Sequence, residues 1–425
     1  MLTQGPKGTK DVLPNEAYKW QYIEKITSDV CRVCGYKQIR TPVFEHTELF
    51  QRGVGDGTDI VQKEMYTFND KGGRSITLRP EGTAGVARSY IEHGMGSLPT
   101  PVKMYYYTTC YRYEKAQKGR YREHNQFGIE AFGAKGPDVD VEVISMGYMV
   151  LKKAGIIDGI ELQINSIGCP ACRVGFMKDF KDFMLSRKDG LCETCKDRLN
   201  KNPMRILDCK EERCKELIKG CPVMIDYLCE DCQSHFEGLK EGLLNIGIKF
   251  TINTAIVRGQ DYYSKTVFEF INTKSDTQNA VCAGGRYDGL VEVCGGAPTP
   301  GIGFGMGIER LIMYMEDNGV NFPANQDIPD IYIANMGLEA SNYAGQLVFK
   351  LREKGFVAEK DLASRSLKAQ MKYADKLKAK FSIVIGENEI HTRKANLKNM
   401  STGEQKEIDL DELDLYLSAD NAAEV

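Results

Sequence analysis

The sequence predicts an α+β protein: an antiparallel sheet flanked by helices, a helical insertion, and a C-terminal α/β domain. Between residues 65 and 132, short apolar runs alternate with turns rich in glycine or charge, which is typical of antiparallel strands. Residues 169–245 instead show helical spacing, many lysines and glutamates, and few β-branched runs. After residue 330, strand patterns alternate with helical ones, which indicates a small α/β domain.

The length and composition are those of a folded multidomain protein. A chain of 425 residues is too long for one compact core, and its apolar fraction of 42% is ordinary. No apolar run approaches the ~20 residues that a membrane helix needs, and the first residues contain no apolar signal segment. We therefore expect a cytoplasmic protein without a membrane partner. The net charge of −3 does not itself indicate a nucleic-acid partner, although local basic patches are compatible with one.

The N-terminal half begins with a predicted amphipathic helix over residues 15–34. The residues expected on its apolar face are Tyr22, Ile23, Ile26, Val30 and Val33. Cys31 and Cys34 on the same helix are better explained as core residues than as ligands. An extended segment follows, whose proline favours the edge of a sheet. Residues 139–155 are predicted to form a helix and residues 161–168 a strand.

The second half returns to strands and ends in a separate domain. Strand patterns resume over residues 249–272, and a glycine-rich segment at 301–315 passes into a helix. Residues 316–330 are polar and contain proline and glycine, which predicts a linker. Helices are predicted around 340–354 and 366–379. The predicted domains are a core of residues 1–168 and 246–325, an insertion of residues 169–245, and an α/β domain of residues 330–425.

Two basic segments indicate anion binding. In VRGQDYYSKTVFEF, Arg258 stands on a turn hinged by Gly259, beside two tyrosines and before an alternating strand. The segment TTCYRYEKAQKGRYREHNQFGIEAFG carries five cations around a glycine-hinged loop, namely Arg112, Lys115, Lys118, Arg120 and Arg122. Arginines at such a loop can clamp phosphates in a bidentate manner, and the alternative is a solvated hairpin.

Two further motifs leave a structural and a functional interpretation open. GIGFGMGIERL places Arg310 one turn into a helix after four glycines, which suits either the close approach of a ligand or tight helix–sheet packing. LRPEGTAGVAR places Glu81 and Thr83 in a turn before a helix, where both residue types are favoured as caps. The functional alternative is that Glu81 receives an ammonium group, with Thr83 beside it.

Taken in order, these motifs resemble those of class II aminoacyl-tRNA synthetases, and specifically the histidyl-tRNA synthetase family. TPVFEHTELFQRGVGDGTDIVQKEMYTF is similar to the dimer-forming first motif and its continuation, YRYEKAQKGRYREHNQFGIE to the second, and GFGMGIERL to the third. RGQDYY and AGGRYDG resemble two segments peculiar to the histidine enzymes. The resemblance covers nearly the whole chain. It implies the class II antiparallel sheet and a C-terminal anticodon-binding domain, with residues 361–380 as its basic helix.

The resemblance implies a histidine–tRNA ligase, which activates histidine with ATP and transfers it to tRNA(His), giving AMP and pyrophosphate. Arg258 would lie between the histidine carboxylate and the α-phosphate, where a guanidinium lowers their repulsion and stabilises the transition state. Arg112, the second catalytic residue, would hold the α-phosphate. Arg120 and Arg310 would bind the β- and γ-phosphates, and Mg²⁺ would neutralise the pyrophosphate.

The same resemblance implies a histidine pocket. The residues expected to bind histidine are Glu81, Thr83, Gln126, Glu130, Arg258, Tyr262, Tyr263 and Tyr287. Of these, Glu81, Thr83 and Gln126 would bind the ammonium end. Glu130 and Tyr263 would contact the two imidazole nitrogens, which suits a ring that is both donor and acceptor when neutral.

The second motif carries one departure and one candidate tRNA contact. His124 and Asn125 stand where the family usually has an aromatic residue, commonly Phe, followed by His. His124 could still stack on adenine as part of the ATP site, with less apolar area, so ATP affinity is the quantity affected. Gln117, in the loop of residues 115–122, would contact the acceptor end of the tRNA.

Nine of the fourteen cysteines lie between residues 169 and 232, and a reducing cytoplasm favours metal ligands or buried thiols over disulfides. Three CxxC pairs are among them, namely Cys169/Cys172, Cys192/Cys195 and Cys229/Cys232. Two pairs separated by nineteen residues fit a tetrahedral structural zinc site, and reduced core thiols are an equal alternative. The sequence leaves the metal content open.

Two rival functions fit the sequence less well. A regulatory paralogue that binds histidine without charging tRNA would be expected to lack catalytic arginines and the anticodon-binding domain, whereas Arg112, Arg258 and Arg310 are present. A sibling synthetase for threonine, proline or glycine would not carry RGQDYY and AGGRYDG. We therefore expect a homodimer that binds ATP, Mg²⁺, L-histidine and tRNA(His).

Overall fold

The computed structural model describes residues 3–55, 58–257, 260–274, 280–323 and 328–421. Its contacts divide the chain into two compact units, Met1–Phe322 and Pro323–Val425. Arg258 and Gly259, the predicted catalytic turn, lie outside the described residues. Within the described ranges, no helix is both long enough and apolar enough to cross a bilayer.

The first unit contains both strands and helices. Its strands are β1 (Lys37–Gln38), β2 (Phe44–His46), β3 (Tyr66–Asn69), β4 (Ser75–Leu78), β5 (Val102–Tyr111), β6 (Glu123–Phe132), β7 (Ile160–Ser166), β8 (Thr251–Ile252), β9 (Ser264–Asn272), β10 (Ala280–Arg286) and β11 (Gly301–Gly307). Its α-helices are α1 (Pro14–Val33), α2 (Thr47–Val54), α3 (Thr83–Glu92), α4 (Pro137–Lys153), α5 (Pro170–Leu185), α6 (Glu193–Lys201), α7 (Glu212–Leu217), α8 (Glu230–Asn245), α9 (Leu290–Val293) and α10 (Ile308–Asp317). The helices predicted at 15–34 and 139–155 correspond to α1 and α4.

Eight of these strands form one sheet in the order β1-β5-β6-β11-β10-β9-β7-β8. Neighbours pair antiparallel except at the two edges, where β1 runs parallel to β5 and β7 runs parallel to β8. The predicted antiparallel sheet is therefore confirmed. Strands β2, β4 and β3 form a separate small sheet. The glycine run before α10 is itself strand β11, hydrogen-bonded on one side to β6 and on the other to β10.

Helices α1, α4, α8 and α10 pack against the large sheet and share one hydrophobic core with it. In α1, Ile23, Val30 and Cys31 are buried in this core. Val33 is 64% exposed, so its predicted place on the apolar face of the helix is wrong. The reason is that α1 ends at Val33, and the buried side chain of Cys31 occupies the core side of the last turn.

The segment predicted as a helical insertion consists of α5 to α8, joined by loops that each contain a short 3-10 helix. Its first three helices enclose a core of their own, which includes Phe176, Phe180 and Leu199. The fourth helix, α8, packs instead on α4 through apolar residues such as Leu239 and Leu243, which belong to the core of the large sheet.

The second unit has its own sheet and helices. Its elements are β12 (Ile331–Asn335), α11 (Leu338–Glu353), β13 (Ala358–Lys360), α12 (Leu367–Lys376), β14 (Phe381–Ile385), α13 (Glu387–Thr392), β15 (Lys394–Asn399), β16 (Gln405–Asp409) and α14 (Leu413–Asn421). The strand order is β13-β12-β14-β15-β16. The β12, β13 and β14 strands are parallel, as strand–helix alternation predicts, and the antiparallel β15 and β16 extend the sheet.

Candidate active site

A cavity of about 340 Å³ lies over strands β6, β10 and β11. Ten of the predicted site residues line it, namely Glu81, Thr83, Arg112, Arg120, His124, Gln126, Tyr262, Tyr263, Tyr287 and Arg310. Glu130 is buried and bonded to the hydroxyl of Tyr287 in the cavity wall. Gln117 does not line the cavity. Arg258 lies outside the described residues, although Gln260, two positions along the chain, is part of the lining.

Alternate glycines of β11 make room for two of the predicted site residues. A Cβ atom on Gly303 would lie 2.0 Å from Oε2 of Glu130, which stands directly opposite it on β6. A Cβ atom on Gly305 would lie 2.1 Å from Nε2 of Gln126. Residues i and i+2 of a strand share a face, so Gly303 and Gly305 leave one continuous strip of that face without side chains. The glycine run therefore accommodates the protein's own polar side chains beneath the cavity, an explanation that the sequence did not provide.

Glu130 is buried at the tyrosine-lined end of the cavity. It is 1% exposed, and its carboxyl group accepts hydrogen bonds from the hydroxyls of Tyr106, at 3.0 Å, and of Tyr287. The Tyr287 ring covers Gly301, where a Cβ atom would lie 2.3 Å from it. Burial raises the pKa of Glu130 to about 8, although both tyrosine hydroxyls oppose this rise. Near neutral pH the Glu130 carboxyl is thus mostly protonated.

Glu81 and Thr83 lie at the start of α3. The Glu81 carboxylate accepts hydrogen bonds from the backbone N–H groups of Thr83 and Ala84, both at 2.8 Å. Glu81 therefore caps the helix, as the structural interpretation of its motif requires. Burial raises the pKa of Glu81, and the two backbone hydrogen bonds oppose this rise. Because Glu81 and Thr83 also line the cavity, capping and ammonium binding are compatible, and the binding role stays a prediction.

The segment that carries Tyr262 and Tyr263 is held by the helical insertion. The two rings pack with centroids 4.7 Å apart. The guanidinium of Arg173, on α5, donates to the carbonyl of Tyr263. The amide of Asn202, after α6, donates to the carboxylate of Asp261 at 2.8 Å. Sequence reasoning missed these contacts because the partners are 90 and 59 positions apart, and nothing local marks them.

Three arginines gather at the other end of the cavity. Arg112 follows β5, and its Nε donates to the carbonyl of Pro80 at 2.7 Å. Arg310, in the first turn of α10, donates to a backbone carbonyl of β10 at 2.7 Å. Arg120, in the loop between β5 and β6, forms an ion pair with Glu114 at 2.6 Å. Guanidinium groups anchored in this way present fixed donors, an arrangement suited to phosphate groups.

His124 lies at the arginine-lined end of the cavity, on β6. Burial, together with the charges of Arg112, Arg310 and Arg120, lowers the pKa of His124 to about 3. The imidazole is therefore neutral at physiological pH. A neutral aromatic ring beside three cations adds no charge to this end, which is compatible with the predicted stacking on adenine.

Asn125, the second residue of the departure from the family pattern, has a structural role. Its backbone N–H and its side-chain amide donate to Oε1 of Glu309 at 2.8 and 3.0 Å. Its amide oxygen accepts from the hydroxyl of Thr109 at 2.9 Å. Asn125 thus ties β6 to β5 and α10. Glu309 and Glu114 both line the cavity, and sequence reasoning missed them because neither stands out among the charged residues of its motif.

Arg286, in the AGGRYDG segment, is fully buried and structural. Its guanidinium forms ion pairs with Asp140 and, at 3.1 Å, with Asp288. The other oxygen of Asp140 lies 2.8 Å from Nε2 of His235 on α8. This network joins β10 to α4 and α8 at the residue before Tyr287. The motif therefore combines a buried anchor with a residue of the cavity.

Gln117 lies at the exposed tip of the loop between β5 and β6. Its backbone pairs with that of Arg120 across a tight turn, at 2.9 and 3.1 Å. Gly119 in this turn has a φ of +73°, a conformation that favours glycine. Lys115 and Lys118 are also exposed, as a solvated hairpin requires. The tRNA contact of Gln117 stays a prediction.

The cysteines of the insertion meet in two groups. The first group is Cys169, Cys172, Cys229 and Cys232, and the second is Cys192, Cys195, Cys209 and Cys214. The pairs separated by nineteen residues do not share a group, so that way of pairing them is wrong. The reason is that α5, with 16 residues and a length of about 24 Å, carries the chain away from the first pair. In the described part of the chain, no other cluster of three or more His, Cys, Asp and Glu ligands fits one metal ion.

Comparison with known proteins shows the family of the chain. The family model described as histidyl-tRNA synthetase matches residues 8–169 and 223–311, and the anticodon binding domain model matches residues 330–419. The histidine–tRNA ligase of Acetivibrio thermocellus is 62% identical over 413 residues, which span 97% of this chain and 99% of that protein. The histidine–tRNA ligase of Caldanaerobacter subterraneus subsp. tengcongensis is 54% identical over 414 residues, with the same two shares.

Solved structures give the same result. The crystal structure of apo S. aureus histidyl-tRNA synthetase superposes with a TM-score of 0.83 at 41% identity, covering 97% of this chain and 99% of that one. A Bacillus halodurans protein described as an ATP phosphoribosyltransferase regulatory subunit/histidyl-tRNA synthetase has a TM-score of 0.64 at 22% identity, covering 88% and 96%, and shares the fold. The chain therefore belongs to the histidyl-tRNA synthetase family of class II aminoacyl-tRNA synthetases, and its function is that of a histidine–tRNA ligase.

Proposed function

We propose that the cavity binds histidine at its tyrosine-lined end and ATP at its arginine-lined end, and joins them as histidyl-adenylate. The observation that carries this proposal is that one cavity is lined at one end by Tyr287, whose hydroxyl bonds the buried Glu130, and at the other by three arginines. The first feature suits an imidazole and the second a triphosphate. Transfer of the histidyl group to tRNA(His) then completes the ligase reaction.

At the tyrosine-lined end, Glu130 and Tyr263 would bond the two imidazole nitrogens. The pKa of Glu130, about 8, lets the carboxyl either donate or accept near neutral pH, so it can adapt to the imidazole proton. A site that hydrogen-bonds both nitrogens should reject apolar amino acids by about 10⁴-fold, because its buried polar groups would otherwise be unpaired. Glu81, Thr83 and Gln126 would bind the ammonium group, and Tyr262 and Tyr287 would close the pocket.

At the arginine-lined end, Arg112 would hold the α-phosphate while Arg120 and Arg310 hold the β- and γ-phosphates. Mg²⁺ commonly binds one or two carboxylates together with substrate phosphates. Glu114 and Glu309 line this end, so the donor set fits such an ion and would hold it. Its chemistry would be to neutralise charge on the pyrophosphate.

Arg258 would act where the two ends meet. The histidine carboxylate and the α-phosphate repel each other as the bond forms, and a guanidinium between them lowers this cost most in the transition state. Support comes from its neighbours, since Gln260, Tyr262 and Tyr263 all line the cavity. In the second step, a phosphate oxygen of the adenylate would accept the proton of the attacking ribose hydroxyl.

The remaining proposals concern partners and location. The first unit carries exposed apolar side chains on its small sheet, where Phe44 is 55% and Phe68 49% exposed, and we assign this surface to a homodimer interface. The predicted domain boundaries, with residues 330–425 as the anticodon-binding domain, are part of the same proposal. The tip of the loop near Gln117 would approach the tRNA acceptor end. The proposed location is the cytoplasm, where translation takes place.

Histidine-dependent ATP–pyrophosphate exchange without tRNA tests the proposed function. We expect exchange with histidine and none with the other amino acids, because the tyrosine-lined end selects the imidazole. Transfer to tRNA(His) in the presence of the same components should follow. If histidine bound but supported no exchange, the chain would instead be a histidine-binding regulatory subunit built on this fold.

A further inference from the structure

Eight of the nine cysteines between residues 169 and 232 form two quartets. Quartet A contains Cys169, Cys172, Cys229 and Cys232, and quartet B contains Cys192, Cys195, Cys209 and Cys214. Within each quartet, all four sulfur atoms lie within 4.8 Å of one another. We propose that each quartet binds one zinc ion as a structural tetrathiolate site, so that the insertion holds two zinc ions.

The sulfur–sulfur distances fit a tetrahedral metal site. In quartet A, Sγ of Cys169 lies 3.5 Å from that of Cys172 and 4.0 Å from that of Cys229. In quartet B, the sulfurs of Cys192 and Cys209 are 3.9 Å apart. A disulfide bond is only about 2.05 Å long. Four sulfurs placed about 2.3 Å from one zinc ion are about 3.8 Å from each other, close to the distances here.

Backbone amides already point at the sulfurs. The N–H group of Cys229 donates to Sγ of Cys172 at 3.1 Å in quartet A. In quartet B, the N–H group of Cys192 donates to Sγ of Cys214 at 3.3 Å, and that of Cys195 donates to Sγ of Cys192 at 3.4 Å. Such donors favour the thiolate, which is the form that binds zinc.

The first cysteine of each CxxC pair stands at the start of a helix. Cys169, Cys192 and Cys229 are the N-cap residues of α5, α6 and α8. The positive end of the helix dipole stabilises a negative charge at this position. The amide donors and the helix dipoles thus both favour the thiolate form of cysteines in the two quartets.

A core made of reduced thiols is the alternative, and the composition of the insertion argues against it. Six of the thirteen buried residues in the core of the insertion are cysteines, and the rest are mainly Phe, Leu and Met. A region of this size with so few large apolar residues usually needs cross-links, either disulfides or metal ions. The cysteines of the insertion are free thiols, which leaves metal binding as the cross-link.

The four thiolate ligands of each quartet indicate which metal would bind. Four thiolates in a tetrahedral arrangement suit zinc or an iron–sulfur cluster. Quartet B is almost completely buried, with Cys195 and Cys214 inaccessible to solvent. We commit to zinc, since a separation of about 3.8 Å between sulfurs suits one ion at the centre. Binding converts four thiols and one Zn²⁺ into a zinc tetrathiolate of charge −2 and releases four protons.

Quartet A also supports the cavity, a step that rests on the proposed function. Arg173 directly follows Cys172 on α5. Its guanidinium donates to the carbonyls of Ile167, at 3.1 Å, and of Tyr263. Zinc in quartet A would fix the start of α5 and hence this arginine. Zinc loss should therefore weaken histidine binding through the position of Tyr263.

Elemental analysis of the full-length chain, purified with reductant and without chelator, tests the two sites directly. We expect two zinc ions per chain in the wild type, one in C232S and one in C195S. The matched control is C221S, because Cys221 lies in the same insertion but in neither quartet. It should retain two ions. Metal content does not depend on catalysis, so this result is independent of the proposed function.

A titration of the reduced, metal-free wild type with Co²⁺ covers the case in which a variant fails to fold. Thiolate-to-cobalt charge-transfer absorption should rise linearly and saturate at two equivalents, and Zn²⁺ should abolish it. Less than about a tenth of an equivalent of zinc together with no charge-transfer band would overturn the proposal. Iron in place of zinc would also overturn it. If the wild type bound only one zinc ion, the two variants would show which quartet binds it. The quartet whose cysteine variant still bound that ion would then not be a zinc site.

Discussion

The two ends of the cavity differ in charge, and burial decides the charge of one titratable residue at each end. At the tyrosine-lined end, a buried Glu130 is kept largely protonated near neutral pH and is bonded to tyrosine hydroxyls. At the arginine-lined end, three guanidinium groups remain charged, and the one histidine among them is kept neutral. Burial raises the pKa of an acid and lowers that of a base, so the same physical effect removes charge from Glu130 and from His124.

This difference supports the proposal that the cavity binds its two substrates at separate ends. The three guanidinium charges lie where phosphates would bind. At the other end, the imidazole would be bound through a mostly neutral Glu130, with Glu81 in the same lining for the ammonium group. Two glycines of β11 also contribute to shape, because the absence of side chains at Gly303 and Gly305 leaves space for Glu130 and Gln126. The tyrosine-lined end is therefore expected to be sensitive to shape, and the arginine-lined end to charge.

The largest effect is expected from G303A, which breaks the shape of the tyrosine-lined end. The added Cβ atom would lie 2.0 Å from the Glu130 carboxylate and 2.2 Å from the carbonyl oxygen of Ile129, and the backbone cannot yield easily. We expect histidine affinity to fall by at least about 10²-fold and the free energy of unfolding to fall by about 1–3 kcal/mol. Calorimetry and thermal denaturation measure the two effects.

The matched control for G303A is G289A. Gly289 has a φ of −94° and no atom within 4 Å of an added Cβ, so alanine should be tolerated there. Equal losses in both variants would mean that the glycines of this unit matter only for backbone freedom. The explanation based on the space needed by Glu130 would then be wrong.

A smaller effect is expected on the pH dependence of stability in E130Q. The pKa of Glu130 is about 8 when folded and near 4.5 when unfolded, so the unfolded state is the first to lose this proton as pH rises. The contribution of protonated Glu130 to the free energy of unfolding is therefore fully present below about pH 4.5. It is lost as the pH rises to about 8. Glutamine does not titrate, so E130Q should gain in Tm relative to wild type over this range, by at least about 2 °C. A constant Tm difference would contradict the raised pKa.

The smallest effect is expected from H124F at the arginine-lined end. Because His124 is neutral at physiological pH, phenylalanine removes no positive charge and adds apolar area. If the ring stacks on adenine, ATP should bind about 2- to 10-fold more tightly, and histidine affinity should not change. Equilibrium titration with ATP provides the measurement. Weaker ATP binding would contradict stacking as the role of this position.

The fold was largely predictable because its signals are local. Alternating apolar runs predicted the antiparallel sheet, and apolar periodicity predicted α1 and α4. The exposure of Val33 was missed because periodicity does not fix the last turn of a helix. The face cleared by the β11 glycines was not predictable, since it depends on the register that sets Gly303 opposite Glu130.

The site was predictable as a set of residues through its motifs, but not as a set of contacts. The anchoring of Arg286 by Asp140 joins positions 146 apart, and Arg173 reaches Tyr263 across 90 positions. The grouping of the cysteines also depends on tertiary structure, because α5 separates neighbours in sequence and α8 returns to the first pair. Such long-range contacts leave no periodic signal in a single sequence.

The central claim, that the two ends bind different substrates, is tested most directly by comparing histidine and ATP affinities in E130Q and R120A. We expect E130Q to lose about 10- to 100-fold in histidine affinity with ATP affinity unchanged, because a buried hydrogen bond to the imidazole is altered. We expect R120A to show the reverse, because it removes a donor from the phosphate end alone. If each variant lost both affinities equally, the division of the cavity into a histidine end and an ATP end would be contradicted.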